Sequence, residues 1–153
     1  MEPVKRQIII PKEQAVFWMD KNGFWHNEHG KMEHPKIIAF FNSAIRKDDL
    51  GYHVFQDTDE FTEKVYFSYE DTALFVVDLS LGPPAVLALN TRTHISLDPS
   101  QLFSRDDALY LDTGEHRIKF TDRALMKLSR IMEDRDTGLV LVLDGTDHPI
   151  PSR

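Results

Sequence analysis

Two 22-residue segments constrain this chain more than anything else in it. Residues 36–57 overlay residues 123–144 without a gap at a shift of 87 positions. Ile38 meets Leu125, Phe41 meets Leu128, Ile45 meets Met132, Tyr52 meets Leu139 and Val54 meets Leu141; Asp49, Gly51 and Asp57 meet Asp136, Gly138 and Asp144. Three identities carry little. The shared apolar register carries more, because a stripe recurring at i, i+4, i+7 and i+8 has to be buried on one side. Ile37, Ile38, Phe41, Ala44 and Ile45 make that stripe in the first segment. Pro35 stands ahead of it, at a first helical position, where its missing N–H has no intrahelical partner to lose. Ala124, Leu125, Leu128, Ile131 and Met132 make the stripe in the second, with Thr121-Asp122 placed to cap it. The spacing predicts helices over 36–47 and 123–134. Gly51 and Gly138 read as their stops, and a strand follows each.

A hairpin signal precedes each stripe. Asp20-Lys21-Asn22-Gly23 separates Gln14–Met19 from Phe24-Trp25-His26, and Asp112-Thr113-Gly114-Glu115 separates Leu109-Tyr110-Leu111 from Arg117–Phe120. The middle is rich in β-formers. Residues 52–55 read as a strand, Val65, Phe67 and Tyr69 alternate, and residues 73–79 form an apolar run suited to a central strand. Leu81-Gly82-Pro83-Pro84 breaks that run, since proline cannot donate to a ladder. Residues 85–89 and 93–97 read as further strands, and the tail from His148 onward shows no pattern. The expected fold is α+β: two hairpin–helix–strand repeats joined by an antiparallel β-rich middle. Residues 1–80 would hold the first repeat and the central strands, residues 81–153 the second, in one compact body. The connection from Asp20 to Ile37 is five positions longer than that from Asp112 to Ala124, and the extra residues fall in a histidine-bearing stretch.

The motifs Asp20-x-x-Gly23-x-Trp25, Asp49-x-Gly51-Tyr52 and Asp71-x-Ala73-x-Phe75-Val76-Val77-Asp78 are similar to those of the bacterial family called domain of unknown function 1285. The similarity is best over residues 15–80. The resemblance implies a small α+β protein with internal repeats and a suggested role in signalling. That family has no established catalytic residues to carry over.

Charge and composition remove several function classes. Lys and Arg total 18 against 25 Asp and Glu, a net charge of −7. Nucleic acid and anionic membranes demand clustered positive charge, so neither is expected as a partner. There is no cysteine, which excludes thiol catalysis, Fe–S clusters, Cys-ligated zinc and disulfides. No run of 18 apolar residues exists, and three isoleucines before Pro11 are too few for a signal-peptide core, so a cytoplasmic protein is expected.

The chemistry-bearing candidates are few. His26, His29 and His34 lie within nine positions, interleaved with Glu28 and Glu33. Imidazoles so spaced bind zinc or nickel where a loop gathers them, which would suit a small metal-dependent hydrolase. They lie in a polar connection, however, with no His-Glu-x-x-His spacing. Asp112-Thr113-Gly114 invites an aspartic-protease reading. That chemistry needs two carboxylates sharing a proton, and Glu115 would disturb it, so an ordinary turn is expected. No Gly-x-Ser-x-Gly, P-loop or Gly-x-Gly-x-x-Gly occurs. His53 and His94 read as half-exposed strand histidines. Trp25, which has no counterpart in the second repeat, reads as the apolar anchor of a pocket near the junction of the halves, with His26 and Tyr52 on the same wall. The competing reading packs Trp25 on Ile37, Phe41 or Ile45. The expected function is a non-catalytic regulatory module that binds a small ligand or a protein partner, without a cofactor. A structural subunit dimerising through an open sheet edge is the further alternative.

Overall fold

The computed structural model describes residues 4–153. The chain divides into two compact units between Ala73 and Leu74, seven residues before the boundary read from the sequence.

The first unit opens with β1 (Arg6–Ile10), then β2 (Phe17–Met19), β3 (Trp25–Asn27) and β4 (Gly30–Lys31). After α1 (Pro35–Ser43) come β5 (Ile45–Asp48), β6 (Gly51–Asp57), β7 (Phe61–Tyr66) and β8 (Ser68–Tyr69). One sheet has the order β1-β7-β6-β5 and the other β4-β3-β2-β8. The alternation of Val65, Phe67 and Tyr69 predicted a single strand. Instead the chain changes sheet at Phe67: β7 pairs with β6 and β1, whereas β8 runs parallel to β2. Phe67 is 2% exposed at this crossing. It packs against Phe17, Trp25 and Tyr69, with ring centroids 4.8–6.3 Å away.

The second unit contains β9 (Leu74–Ser80), β10 (Val86–Leu89), β11 (His94–Ser96), β12 (Leu102–Arg105), β13 (Ala108–Asp112) and β14 (Arg117–Phe120). Then follow α2 (Asp122–Leu128), β15 (Met132–Arg135), β16 (Gly138–Leu143) and β17 (Thr146–Pro149). Six strands form a mixed sheet, β11-β10-β9-β14-β13-β12, in which only β9 and β14 run parallel; β15-β16-β17 form a small antiparallel sheet. The apolar run 74–79 is the central strand β9, as its composition requires, with Leu74, Phe75, Val76 and Leu79 all buried. Thr121 caps α2 by accepting the Ala124 N–H, and Ala124 and Leu128 are buried.

The α+β expectation is corrected. Among the described residues the chain is 49% strand in four sheets, with only two short α-helices. The helices are shorter than predicted for one physical reason. Ala44-Ile45 and Ile131-Met132 fit the last turn of a helical stripe, but a strand buries a β-branched or long apolar residue at its start equally well. Ile45 is buried as the first residue of β5, paired with Val54, and Met132 opens β15, paired with Leu141. Each helix is therefore followed by a hairpin, not by a single strand. Gly51 and Gly138 leave the turns of those hairpins, at φ of 118° and 120°, instead of capping helices. The tail also carries structure the sequence reading missed: β17 joins β16, and Pro151–Arg153 bonds to the outer edge of β12 through Ser104. No helix among the described residues is long and apolar enough to cross a membrane.

Candidate functional site

The residues predicted to share a wall are not brought onto one. β2 and β3 form the expected hairpin, and strand alternation sorts its side chains. Phe17, Met19 and Trp25 face inward. Trp18 and His26, directly opposite each other, face outward. Trp25 is 1% exposed, in edge contact with Phe17, Phe41 and Phe67, and its indole N–H donates to Asn42 Oδ1 at 2.7 Å. It is a core residue, as the competing reading held through Phe41. The apolar face of a two-stranded ribbon must be covered, and α1 and Phe67 cover this one.

His26 instead stacks on Trp18, with centroids 4.3 Å apart, and its Nε2 lies 2.7 Å from Asp20 Oδ2. Asp20 also accepts the N–H groups of Asn22 and Phe24. Burial works to raise the Asp20 carboxyl, but the bond to His26 and those two backbone bonds outweigh it and hold the group below its ordinary value. Tyr52 lies on β6, in edge contact with Tyr69 and beneath the Lys47 ammonium. Of the other histidines, His29 is exposed beside Glu28, and His34 is the exposed residue preceding α1. No three acidic or histidine side chains are gathered as metal ligands among the described residues.

A polar cluster that sequence reasoning missed lies where β5, β6 and β7 run side by side. Asp48 Oδ2 accepts the Tyr66 hydroxyl at 2.7 Å and the Lys64 ammonium at 2.9 Å, and Oδ1 accepts the Leu50 N–H. His53, paired across the strands with Tyr66, lies 3.9 Å from the same carboxylate. The half-exposed histidine expected at this position is 3% exposed. Burial pushes its imidazole below the ordinary value, opposed by the Gly51 carbonyl. Burial first, then the bond to Asp48, pushes the Tyr66 phenol up to about 12. The Tyr66 hydroxyl, and next the Lys64 ammonium, hold the Asp48 carboxyl well below the carboxylate range. Every member is satisfied within the sheet, which makes the cluster a clasp between strands.

A carboxyl depressed on folding contributes stability that is complete above its unfolded pKa, near 4, and is lost as pH falls through the lower folded value. Asp48→Asn is therefore expected to lower stability at neutral pH, with the gap to the parent protein closing as pH falls below about 4. Acid titration of both proteins, followed by circular dichroism, checks this. A gap that stays constant from neutral pH into acid would show that the charge of Asp48 contributes nothing.

The second unit holds a cavity of about 400 Å³. Its apolar wall is Leu109, Leu125, Met132 and Leu139, from β13, α2, β15 and β16. Ser104 and Ser152 add hydroxyls, and the β12–β13 turn, Arg105 to Ala108, forms the rim. The turn is tight because Asp106 and Asp107 both adopt positive φ, 49° and 65°. Aspartate tolerates that conformation better than most residues. Ser152 reaches the cavity because the tail is stitched to β12: Ser104 donates to the Pro151 carbonyl at 2.9 Å and accepts from the Arg153 N–H at 2.8 Å. The Arg153 guanidinium secures this stitch on Asp112 at 2.8 Å. Asp112 also accepts the Gly114 N–H, so Asp112-Thr113-Gly114 is the turn that was expected. Among the described residues, the side chains of Arg105, Asp106 and Asp107 enter no hydrogen bond or ion pair. The sequence carried a signal for this rim. Asp-Asp between Leu102-Phe103 and Ala108-Leu109 is a two-residue hairpin loop, overlooked because β12 was not anticipated.

No family model matches the chain, and no curated protein matches it. Two solved structures do. A DUF1285 family protein from Silicibacter pomeroyi DSS-3 superposes with a TM-score of 0.63 at 14% identity, covering 95% of this chain and 84% of its own. A second DUF1285 family protein, from Shewanella baltica OS155, superposes with a TM-score of 0.51 at 22% identity, covering 72% of this chain and 87% of its own. The chain shares a fold with DUF1285 family proteins, and the resemblance read from its sequence holds at that level.

Proposed function

We propose that the chain is a non-catalytic, cytoplasmic regulatory module that binds a small ligand in the cavity of its second unit. The observation that carries this reading is the cavity itself. Its volume of about 400 Å³ lies within the range of small-molecule sites, roughly 300–1,000 Å³. Its composition fits as well: four apolar side chains from four elements, together with the hydroxyls of Ser104 and Ser152 and the charged side chains of the β12–β13 turn. Leu125, Met132 and Leu139 are half-buried apolar side chains that only an occupant would finish covering. The non-catalytic reading follows from what lines the site. Two serine hydroxyls, two carboxylates on a turn and one guanidinium include no base paired to a nucleophile.

A neutral probe tests the cavity without presuming a ligand charge. 1-Hexanol, at concentrations too low to perturb proteins in general, is expected to raise the melting temperature. A ligand at 100 times its dissociation constant stabilises by about 2.7 kcal/mol. Leu139→Trp, which fills the cavity, should abolish the shift. No shift in the parent protein, or an equal shift in the filled variant, would remove this cavity as the site.

A further inference from the structure

We propose that Pro151–Arg153 is a strap coupled to the cavity: a molecule filling the cavity holds the strap down on β12 through Ser152, and an empty cavity lets it lift and bare the edge of that strand. The proposal rests on the ligand-binding reading above and gives that site a regulated output. Three observations carry it.

First, the strap is part of the cavity wall and hangs from other parts of it. Ser152 lines the cavity. The strap is bonded through Ser104, whose N–H donates to the Pro151 carbonyl and whose own carbonyl accepts the Arg153 N–H. The residue before the strap, Ile150, donates its N–H to the Leu139 carbonyl at 2.8 Å. Ser104 and Leu139 line the cavity as well. An occupant therefore touches the strap and both of its attachments at once.

Second, the fastening lies on the other face. Ser152 is bridged to Ser104 in parallel, so their side chains share the cavity face. Arg153 alternates to the opposite face, where its guanidinium lies 4.3 Å from the centre of the Phe103 ring and 2.8 Å from the Asp112 carboxylate. Phe103, Asp112 and Arg153 are not among the lining residues. A ligand thus reaches Ser152 without undoing what fastens the strap, and the fastening can be weakened without substituting the lining.

Third, the strap is the easily detached part of this region. Pro151, Ser152 and Arg153 are all exposed, whereas Ile150 is buried and anchors the chain before them. The Arg153 and Asp112 side chains are 46% and 43% exposed, and exposed pairs hold weakly. Segments with few buried apolar contacts and solvent-exposed backbone bonds open at low free energy. Lifting this one returns the Ser104 N–H and carbonyl to water and leaves β12 as an open edge, the kind that takes up another strand. The Ser152 hydroxyl has no partner among the described residues, so a ligand's contact with it favours the docked strap alone.

Amide hydrogen exchange on the full chain, read by nuclear magnetic resonance with and without 1-hexanol, tests this. At saturation, exchange of the Ser104 and Arg153 N–H groups should slow about tenfold, within the usual range of coupling between two sites. The Leu97 N–H, bonded to the Ala85 carbonyl at the opposite edge of the six-stranded sheet, is the reference and should not change. Arg153→Ala removes the ion pair and the ring contact. It should speed exchange of the Ser104 N–H roughly three- to thirtyfold, the combined worth of an exposed ion pair and an exposed cation–π contact. 1-Hexanol should still slow exchange in that variant. A 1-hexanol that raises the melting temperature yet leaves the strap amides unchanged would overturn the strap and spare the cavity reading. Equal slowing at Leu97 would mean general stabilisation and overturn the coupling too, as would unchanged exchange in Arg153→Ala. If 1-hexanol does not bind the parent protein, the cavity reading fails and the strap's role fails with it.

Discussion

Trp25→Ala is expected to cost the first unit about 3–5 kcal/mol, the usual penalty for emptying a large aromatic site in a packed interior. The side chain is 1% exposed and stands among three rings, Phe17, Phe41 and Phe67, each in edge contact with it. Those rings sit on β2, on α1 and at the sheet crossing, so no single element can move to refill the space. A loss of this size is a large share of the ~5–15 kcal/mol that typically holds a domain together. Trp25→Phe should cost much less. It keeps an aromatic body and gives up the indole N–H bond to Asn42, whose amide is half-buried and can turn to water. Trp18→Ala is the internal control. Trp18 is 38% exposed and stacks only on His26, so its loss should fall under about 1 kcal/mol. Urea denaturation followed by far-ultraviolet circular dichroism measures all three without relying on the residue removed. A penalty for Trp25→Ala no larger than that for Trp18→Ala would show that the aromatic cluster does not hold this unit together.

The tryptophan pair shows what the sequence could and could not reveal. That Asp20 to Gly23 makes a turn was legible, because a glycine at a position demanding positive φ is a local requirement. Which aromatic of the hairpin faces inward was not. Val16, Phe17, Trp18, Phe24 and Trp25 are all apolar, so alternation gives two equally hydrophobic faces. Only the covering elements, α1 and Phe67, decide between them. The same limit hid the change of sheet at Phe67, since both ladders accept the same β-forming run. It hid the Asp48 clasp as well: Asp48, His53, Lys64 and Tyr66 come together only once three strands are in register. The cavity was half legible. Leu125, Met132 and Leu139 all belong to the apolar register found first, where they stood as core positions. Their incomplete burial depends on how closely the β12–β13 hairpin approaches, and no sequence spacing encodes that distance.

The two helices, read from the sequence as equivalents, should answer mutation very differently. Leu128→Ala in α2 is expected to cost about 2–5 kcal/mol, because Leu128 is 0% exposed and anchors the helix on the six-stranded sheet together with Ala124. Met126→Ala, two residues away and 73% exposed, should stay within about 0.5 kcal/mol of the parent protein. In α1 no residue is fully buried, although Pro35–Ser43 is the more apolar segment. Ile37 and Phe40, one turn apart, are 46% and 45% exposed. Phe40→Ala should therefore cost well under the usual penalty for a core phenylalanine, roughly 3–5 kcal/mol. The cause is geometric. A helix with apolar residues all round can bury only the side it turns to its sheet. In α1 that side is led by Phe41, in contact with Phe17 and Trp25. The amphipathic α2 has a charged face to leave in water, and Lys127 on it reaches Asp78 of β9 at 2.5 Å. Denaturation curves of Leu128→Ala, Met126→Ala and Phe40→Ala measure the contrast. A Phe40→Ala penalty as large as that of Leu128→Ala would mean that the outer face of α1 is covered in solution.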